Sequence, residues 1–163
     1  MLPAGTKLTQ AQQDEVAARL VGRCIQKSQL PEMAQRVRDA YQNFGYYEAR
    51  VLEPELVDLA DGREPGSAAL TFRVEEGPQF RLRKIEFRGV TAFQPEEIWA
   101  LSPLTIDEVF DTRKVRDLLD HLQRAYAAKG YARISVFPDT RIAGTGIELT
   151  LVVDENASRA TAR

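Results

Sequence analysis

The stretch Ala40-Tyr41-Gln42-Asn43-Phe44-Gly45-Tyr46 returns as Ala125-Tyr126-Ala127-Ala128-Lys129-Gly130-Tyr131, 85 residues further on. The same offset carries Leu30, Met33, Ala34, Val37, Ala40 and Tyr41 onto Val115, Leu118, Leu119, Leu122, Ala125 and Tyr126. Every pair is apolar or aromatic, and spacings of three and four place each set on one stripe of an amphipathic helix. Gly45 and Gly130 stand just beyond the stripes, where a helix ends in a left-handed residue that glycine adopts without a Cβ penalty. Pro31 suits the first turn of the earlier helix, and Asp111 or Thr112 can cap the later one.

After each glycine the period falls to two. Tyr47, Ala49 and Val51 alternate with Glu48 and Arg50; Ala132, Ile134 and Val136 alternate with Arg133 and Ser135. That is the pattern of a strand with one buried face. A further strand follows in both copies, with Leu70, Phe72 and Val74 inward in one and Ile147, Leu149, Leu151 and Val153 in the other. Each ends in an acidic turn, Glu75-Glu76-Gly77 or Asp154-Glu155-Asn156, at an offset of 79. The first copy therefore carries a longer connection, Pro54–Ser67, whose Asp61-Gly62 and Pro65-Gly66 are turn formers. The second copy has a strand at Leu82–Arg88 ahead of its helices, a short helix from Pro95 to Leu101, and a hairpin turn at Gly144-Thr145-Gly146. In the first copy, which begins at a helix around Thr9–Val21, the corresponding strand falls at or before Met1, so the chain is expected to be an excised fragment. The predicted fold is α+β: two β-α-α-β-β repeats, each a pair of helices on a small mixed sheet. Residues 1–78 form a repeat without its first strand, 79–156 a complete one, and 157–163 a polar tail.

The 163 residues are 44% hydrophobic, enough for a buried core. With 22 basic and 24 acidic residues the net charge is -2, which argues against a binder of phosphate backbones. No apolar run reaches the roughly 18 residues of a membrane-spanning helix, and no signal peptide is expected at Met1–Gly5. The lone cysteine, Cys24, sits among Leu20, Val21 and Ile25 and reads as a packing thiol; the lone histidine, His121, reads as an exposed partner of Asp117. One histidine and one cysteine supply neither a nucleophile–base pair nor a zinc site. Glu75-Glu76, Glu96-Glu97 and Asp154-Glu155 read as solvated turns, so no enzyme activity is expected.

The repeated order strand-helix-helix-strand-strand, with Tyr41…Gly45-Tyr46 and Tyr126…Gly130-Tyr131, resembles the polypeptide-transport-associated (POTRA) domain. The resemblance extends through Phe72-Arg73-Val74-Glu75-Glu76-Gly77 and Ile85-Glu86-Phe87-Arg88-Gly89, where one repeat hands over to the next. It implies a periplasmic segment of an outer-membrane β-barrel protein of the BamA or TamA type. It further implies unfolded outer-membrane or secreted polypeptides as clients, neighbouring POTRA repeats, a C-terminal barrel and accessory lipoproteins as partners, and no cofactor, metal or nucleic acid. In the family's sheet the second strand lies at an edge and the third is central. An edge strand offers unpaired backbone groups to which a client can add a strand. The candidate client-binding residues are therefore Tyr131, Arg133, Ser135 and Phe137 in the second copy, and Tyr46, Glu48, Arg50 and Leu52 in the first. Proline at Ser135 is expected to remove a donor that the client needs. Gly77, Pro78 and Phe80 form a candidate hinge of limited freedom, with Phe80 tucked into the junction. The alternatives are a two-partner secretion transporter and a division protein similar to FtsQ; a KH-like RNA binder lacks its Gly-x-x-Gly loop.

Overall fold

The tyrosine-glycine-tyrosine signature folds twice into the same helix ending. The protein is described by a computed structural model over residues 6–18, 20, 27–52, 54–58, 68–131 and 133–155. Cys24, the Asp61-Gly62 and Pro65-Gly66 turns, Ala132 and the tail lie outside the described residues. The chain divides into two compact units, Met1–Pro78 and Gln79–Arg163.

In the first unit, α1 (Gln10–Ala18) and α2 (Leu30–Asn43) precede four short strands, β1 (Arg50–Val51), β2 (Glu55–Asp58), β3 (Ala68–Thr71) and β4 (Val74–Glu75). The stripe read from the sequence is the core face of α2: Met33, Val37, Ala40 and Tyr41 are buried with Val16, Phe44, Tyr46, Ala49 and Phe72. β1 pairs antiparallel with β4, and β2 with β3, so the strands form one interrupted ribbon. The interruption falls at Pro54, which has no N–H to continue a ladder.

In the second unit, β5 (Arg81–Arg88), α3 (Pro95–Ala100) and α4 (Thr112–Ala128) lead to a hairpin of β6 (Ser135–Ala143) and β7 (Gly146–Asp154). The sheet order is β5-β7-β6, with β5 parallel to β7 and β6 antiparallel to it. Ile147, Leu149, Leu151 and Val153 are buried on one face of β7, as are Val115, Leu118, Leu122 and Tyr126 on one face of α4. Each such aliphatic side chain contributes on the order of 1.5–3 kcal/mol by leaving water, so these two apolar rows hold the unit together. Asp111 caps α4 by accepting the Arg113 N–H at 2.8 Å. Gln94 and Glu97 form a reciprocal capping box on α3. The Gln94 N–H, and more weakly Lys129, holds the Glu97 carboxyl below its usual range.

Both long helices end alike. After α4, Gly130 (φ 87°) donates to the Ala127 carbonyl and Tyr131 to the Tyr126 carbonyl. After α2, Gly45 (φ 86°) donates to Gln42 and Tyr46 to Tyr41. These crossed bonds are a Schellman ending, which brings the residue after the glycine back onto the helix. The tyrosine rings meet there edge to face, with centroids 6.0 Å apart for Tyr41 and Tyr46 and 5.4 Å for Tyr126 and Tyr131. The recurring signature is thus an edge-to-face tyrosine pair locked around a left-handed glycine.

Candidate functional site

That helix ending decides where the candidate edge begins. The strand expected from Tyr131 starts only at Ser135: Tyr131 is held against Tyr126 by its ring and its N–H, and Arg133 lies before the strand. Ser135 and Phe137 are the first and third residues of β6, which runs on for nine residues to Ala143. In the first unit the counterpart is cut shorter still. Tyr46 is buried in the core, Glu48 precedes the strand, Arg50 lies within it and the half-exposed Leu52 follows it, its N–H donating to the Arg73 carbonyl. A groove of about 490 Å³ lies between α2 and β1, lined by Pro31, Ala34, Gln35, Arg38, Arg50 and Val51.

Among the described residues, β6 is paired with β7 and with no other strand. Its backbone directions follow from the hairpin turn. Gly144 (φ 62°) and Thr145 make a two-residue turn closed by Ala143 and Gly146, a glycine-first geometry in which the closing residues exchange hydrogen bonds. Bonded and non-bonded pairs alternate from there, so Ala143, Arg141, Asp139, Phe137 and Ser135 turn their backbone groups toward β7. Val136, Pro138 and Ile142 belong to the row that faces the open side. Proline at Ser135 would therefore break the hairpin opposite Asp154, contrary to the reading in which it tests the open edge. The side chains of β6 leave much apolar surface exposed, with Phe137 60% and Ile142 41% accessible.

The acidic turns at the ends of β4 and β7 are not solvated ornaments. Glu155 accepts hydrogen bonds from Thr91 N (2.7 Å), Ala92 N (3.0 Å), Tyr126 Oη (2.7 Å) and the Thr91 hydroxyl. Glu76 accepts both from Lys7 N, at 3.0 Å to either oxygen, and from the Thr6 hydroxyl, which in turn lies 3.1 Å from Tyr41 Oη. Thr6 and Tyr41 map onto Thr91 and Tyr126 at the 85-residue offset and Glu76 onto Glu155 at 79, so the same clasp is built twice. In each unit it ties the end of the last strand to the loop that leads to the first helix. Burial alone would raise the Glu155 carboxyl, but the donors around it outweigh that and hold it down at about 2. Burial, with Glu76 nearby, pushes the Tyr41 phenol up to about 12 against the Thr6 hydrogen bond, and burial and Glu155 together raise Tyr126.

The remaining candidates lie within one unit each. Lys7 Nζ donates to the Gly77 carbonyl at 3.0 Å, while Phe80 is buried and accepts the Phe110 N–H at 2.9 Å. His121 Nδ1 donates to the Leu101 carbonyl at 3.0 Å; this contact replaces the expected pairing with Asp117, because His121 faces the turn after α3. A cavity of about 210 Å³ beside the half-exposed Trp99 is lined by apolar side chains including Ile85, Phe87, Phe93 and Ile98. No group of His, Cys, Asp or Glu among the described residues is arranged to hold a metal ion, and none of their helices is long and apolar enough to cross a membrane.

Two family models match. The POTRA model described as "Surface antigen variable number repeat" covers residues 80–156, and the one described as "POTRA domain, ShlB-type" covers residues 2–63. The outer membrane protein assembly factor BamA of Neisseria meningitidis is 28% identical over 107 residues, which are 64% of this chain and 13% of that protein. The chain thus spans about an eighth of that curated relative's length. Among solved structures, POTRA3–5 of Haemophilus influenzae BamA superposes with a TM-score of 0.67 at 21% identity, covering 95% of this chain and 64% of that one. POTRA1–2 of the periplasmic domain of Omp85 from Anabaena gives 0.53 at 19% identity, covering 94% and 89%.

Proposed function

The chain belongs to the POTRA family, as two tandem repeats resembling those of a BamA-like assembly factor, and from that premise we propose that it receives unfolded outer-membrane or secreted polypeptides by letting them add a strand to β6. In this reading it is a periplasmic, non-catalytic segment of an outer-membrane protein. Its partners there are neighbouring POTRA repeats, a C-terminal β-barrel and accessory lipoproteins. Gly77, Pro78 and Phe80 restrict the swing between the repeats, since the chain on either side of Pro78 is bonded within its own unit.

The observation that carries the reading is the length of β6: nine residues of edge strand with no lysine among them and no second strand beside them among the described residues. Main-chain pairing accepts almost any client sequence, which is what a general receptor requires. Of the eight residues first singled out, Ser135 and Phe137 lie on this strand, and the row that a client meets with its backbone includes Val136 and Ile142. The test is Val136→Pro in the full chain. It deletes an N–H on the open side and spares the β6–β7 bonds, so capture of urea-unfolded porin should weaken severalfold while the circular dichroism is preserved. Capture equal to wild type by a folded Val136→Pro protein would remove β6 as the receptor.

A further inference from the structure

A long, partly apolar edge strand is a hazard, because any extended chain, including a second copy of itself, finds a template there. β6 carries one feature that works against it. Pro138 lies at the fourth of its nine positions, opposite Leu151, and belongs to the row whose backbone faces away from β7. A proline facing β7 would have cost the hairpin a bond; here the missing N–H falls on the open side.

We propose that Pro138 limits how firmly β6 holds a client. A strand pairing from the Ile142 end loses a donor when it reaches position 138, and one pairing from the Val136 end loses it after a single outward residue. The client carbonyl that would meet this position keeps water as its partner, so pairing proceeds in short stretches and stays reversible. A receptor that passes polypeptides onward needs this property, since an uninterrupted nine-residue edge favours retention. The inference rests on the strand-addition reading and assigns to one residue of that edge the rate of release.

The experiment replaces the missing donor. In Pro138→Val the open side regains one backbone hydrogen bond, whose net worth corresponds to roughly two- to tenfold in affinity. Dissociation of urea-unfolded, fluorescently labelled porin from the full chain should slow by that factor. Ile142→Pro, which adds a second gap on the same side, should speed it comparably. Both variants keep the bonds to β7, and a cooperative urea transition verifies the fold. Release unchanged in Pro138→Val, with Ile142→Pro still faster than wild type, overturns the role of Pro138 and leaves the edge as receptor. Release unchanged in both variants removes the edge reading itself and the inference with it.

Discussion

Replacing Glu155 by glutamine separates the charge of the clasp from its shape. The amide oxygen can keep the Thr91 N–H, Ala92 N–H and Tyr126 hydroxyl that now converge on Oε1, and the amide nitrogen can donate to the Thr91 hydroxyl in place of Oε2. Only charge assistance is lost. The carboxyl is held at about 2 against an ordinary value of 4.5. At about 1.4 kcal/mol per unit this bounds the ionic contribution near 3.5 kcal/mol, and solvent access to the part-buried group reduces it to about 1.5 kcal/mol. Because the folded-state pKa is depressed below the unfolded one, the contribution is complete above about pH 4.5 and disappears as pH falls toward 2. The single tryptophan, Trp99, lies in the second unit, so its fluorescence follows that unit alone during urea unfolding. At pH 7, Glu155→Gln should lower the midpoint by about 1 M, taking a slope of about 1.5 kcal/mol per M. The gap should close progressively between pH 4.5 and 2. Glu155→Ala, which strips the acceptors as well, should cost about 3 kcal/mol. Equal midpoints for Gln and wild type at pH 7, or a gap that persists undiminished to pH 2, would refute the charge argument.

Gly130→Ala tests the helix ending by itself. A Cβ there meets nothing within 4 Å, so the cost is the left-handed backbone alone, about 1–2 kcal/mol in the same Trp99 assay, and a loss above about 3 kcal/mol would show that contacts were misread. The linker prediction concerns Pro78: small-angle scattering of Pro78→Gly should broaden the distribution of overall dimensions relative to wild type, and indistinguishable curves would remove proline as the restricting element.

The two apolar stripes were legible because helical spacing recurred at a fixed offset, and both prove to be core faces from Met33 to Tyr41 and from Val115 to Tyr126. β7 was legible for the same reason, since strict alternation from Ile147 to Val153 marks a strand covered on one side. β6 was only half legible. Its second half, Asp139 to Ala143, shows little apolar alternation because an edge strand is exposed along its length, and only its pairing with β7 across the Gly144-Thr145 turn defines it. The alternation that begins at Tyr131 precedes the strand for a separate reason: alternation cannot distinguish an extended residue from one pulled back onto a helix, as Tyr131 is. The clasp escaped because its members recur at two different offsets, 85 for the threonines and tyrosines and 79 for the glutamates, and because Thr91 and Glu155 meet across 64 residues of chain. A search for polar residues that recur on either side of the length difference between the copies would have found it.

The repeats share a frame and differ at the margin. Both close their long helix with an edge-to-face tyrosine pair and both fasten the last strand with a glutamate, yet β1 has two residues where β6 has nine. Length matters to a main-chain receptor in a quantifiable way. Ordering each client residue costs about 1–2 kcal/mol, whereas one backbone hydrogen bond returns only about 0.5–1.5 kcal/mol, so pairing must be extended and helped by side-chain burial before a client is held. Two residues of β1 fall short of that. β6 supplies both requirements, with the outward backbone N–H groups of Val136 and Ile142 and the exposed Phe137 and Ile142 as apolar surface for a client side chain. Pro54 and Pro138 express the difference chemically. Pro54 falls between β1 and β2 and interrupts the ribbon, while Pro138 sits within a strand and faces outward, leaving the sheet whole and thinning only what the sheet offers to others.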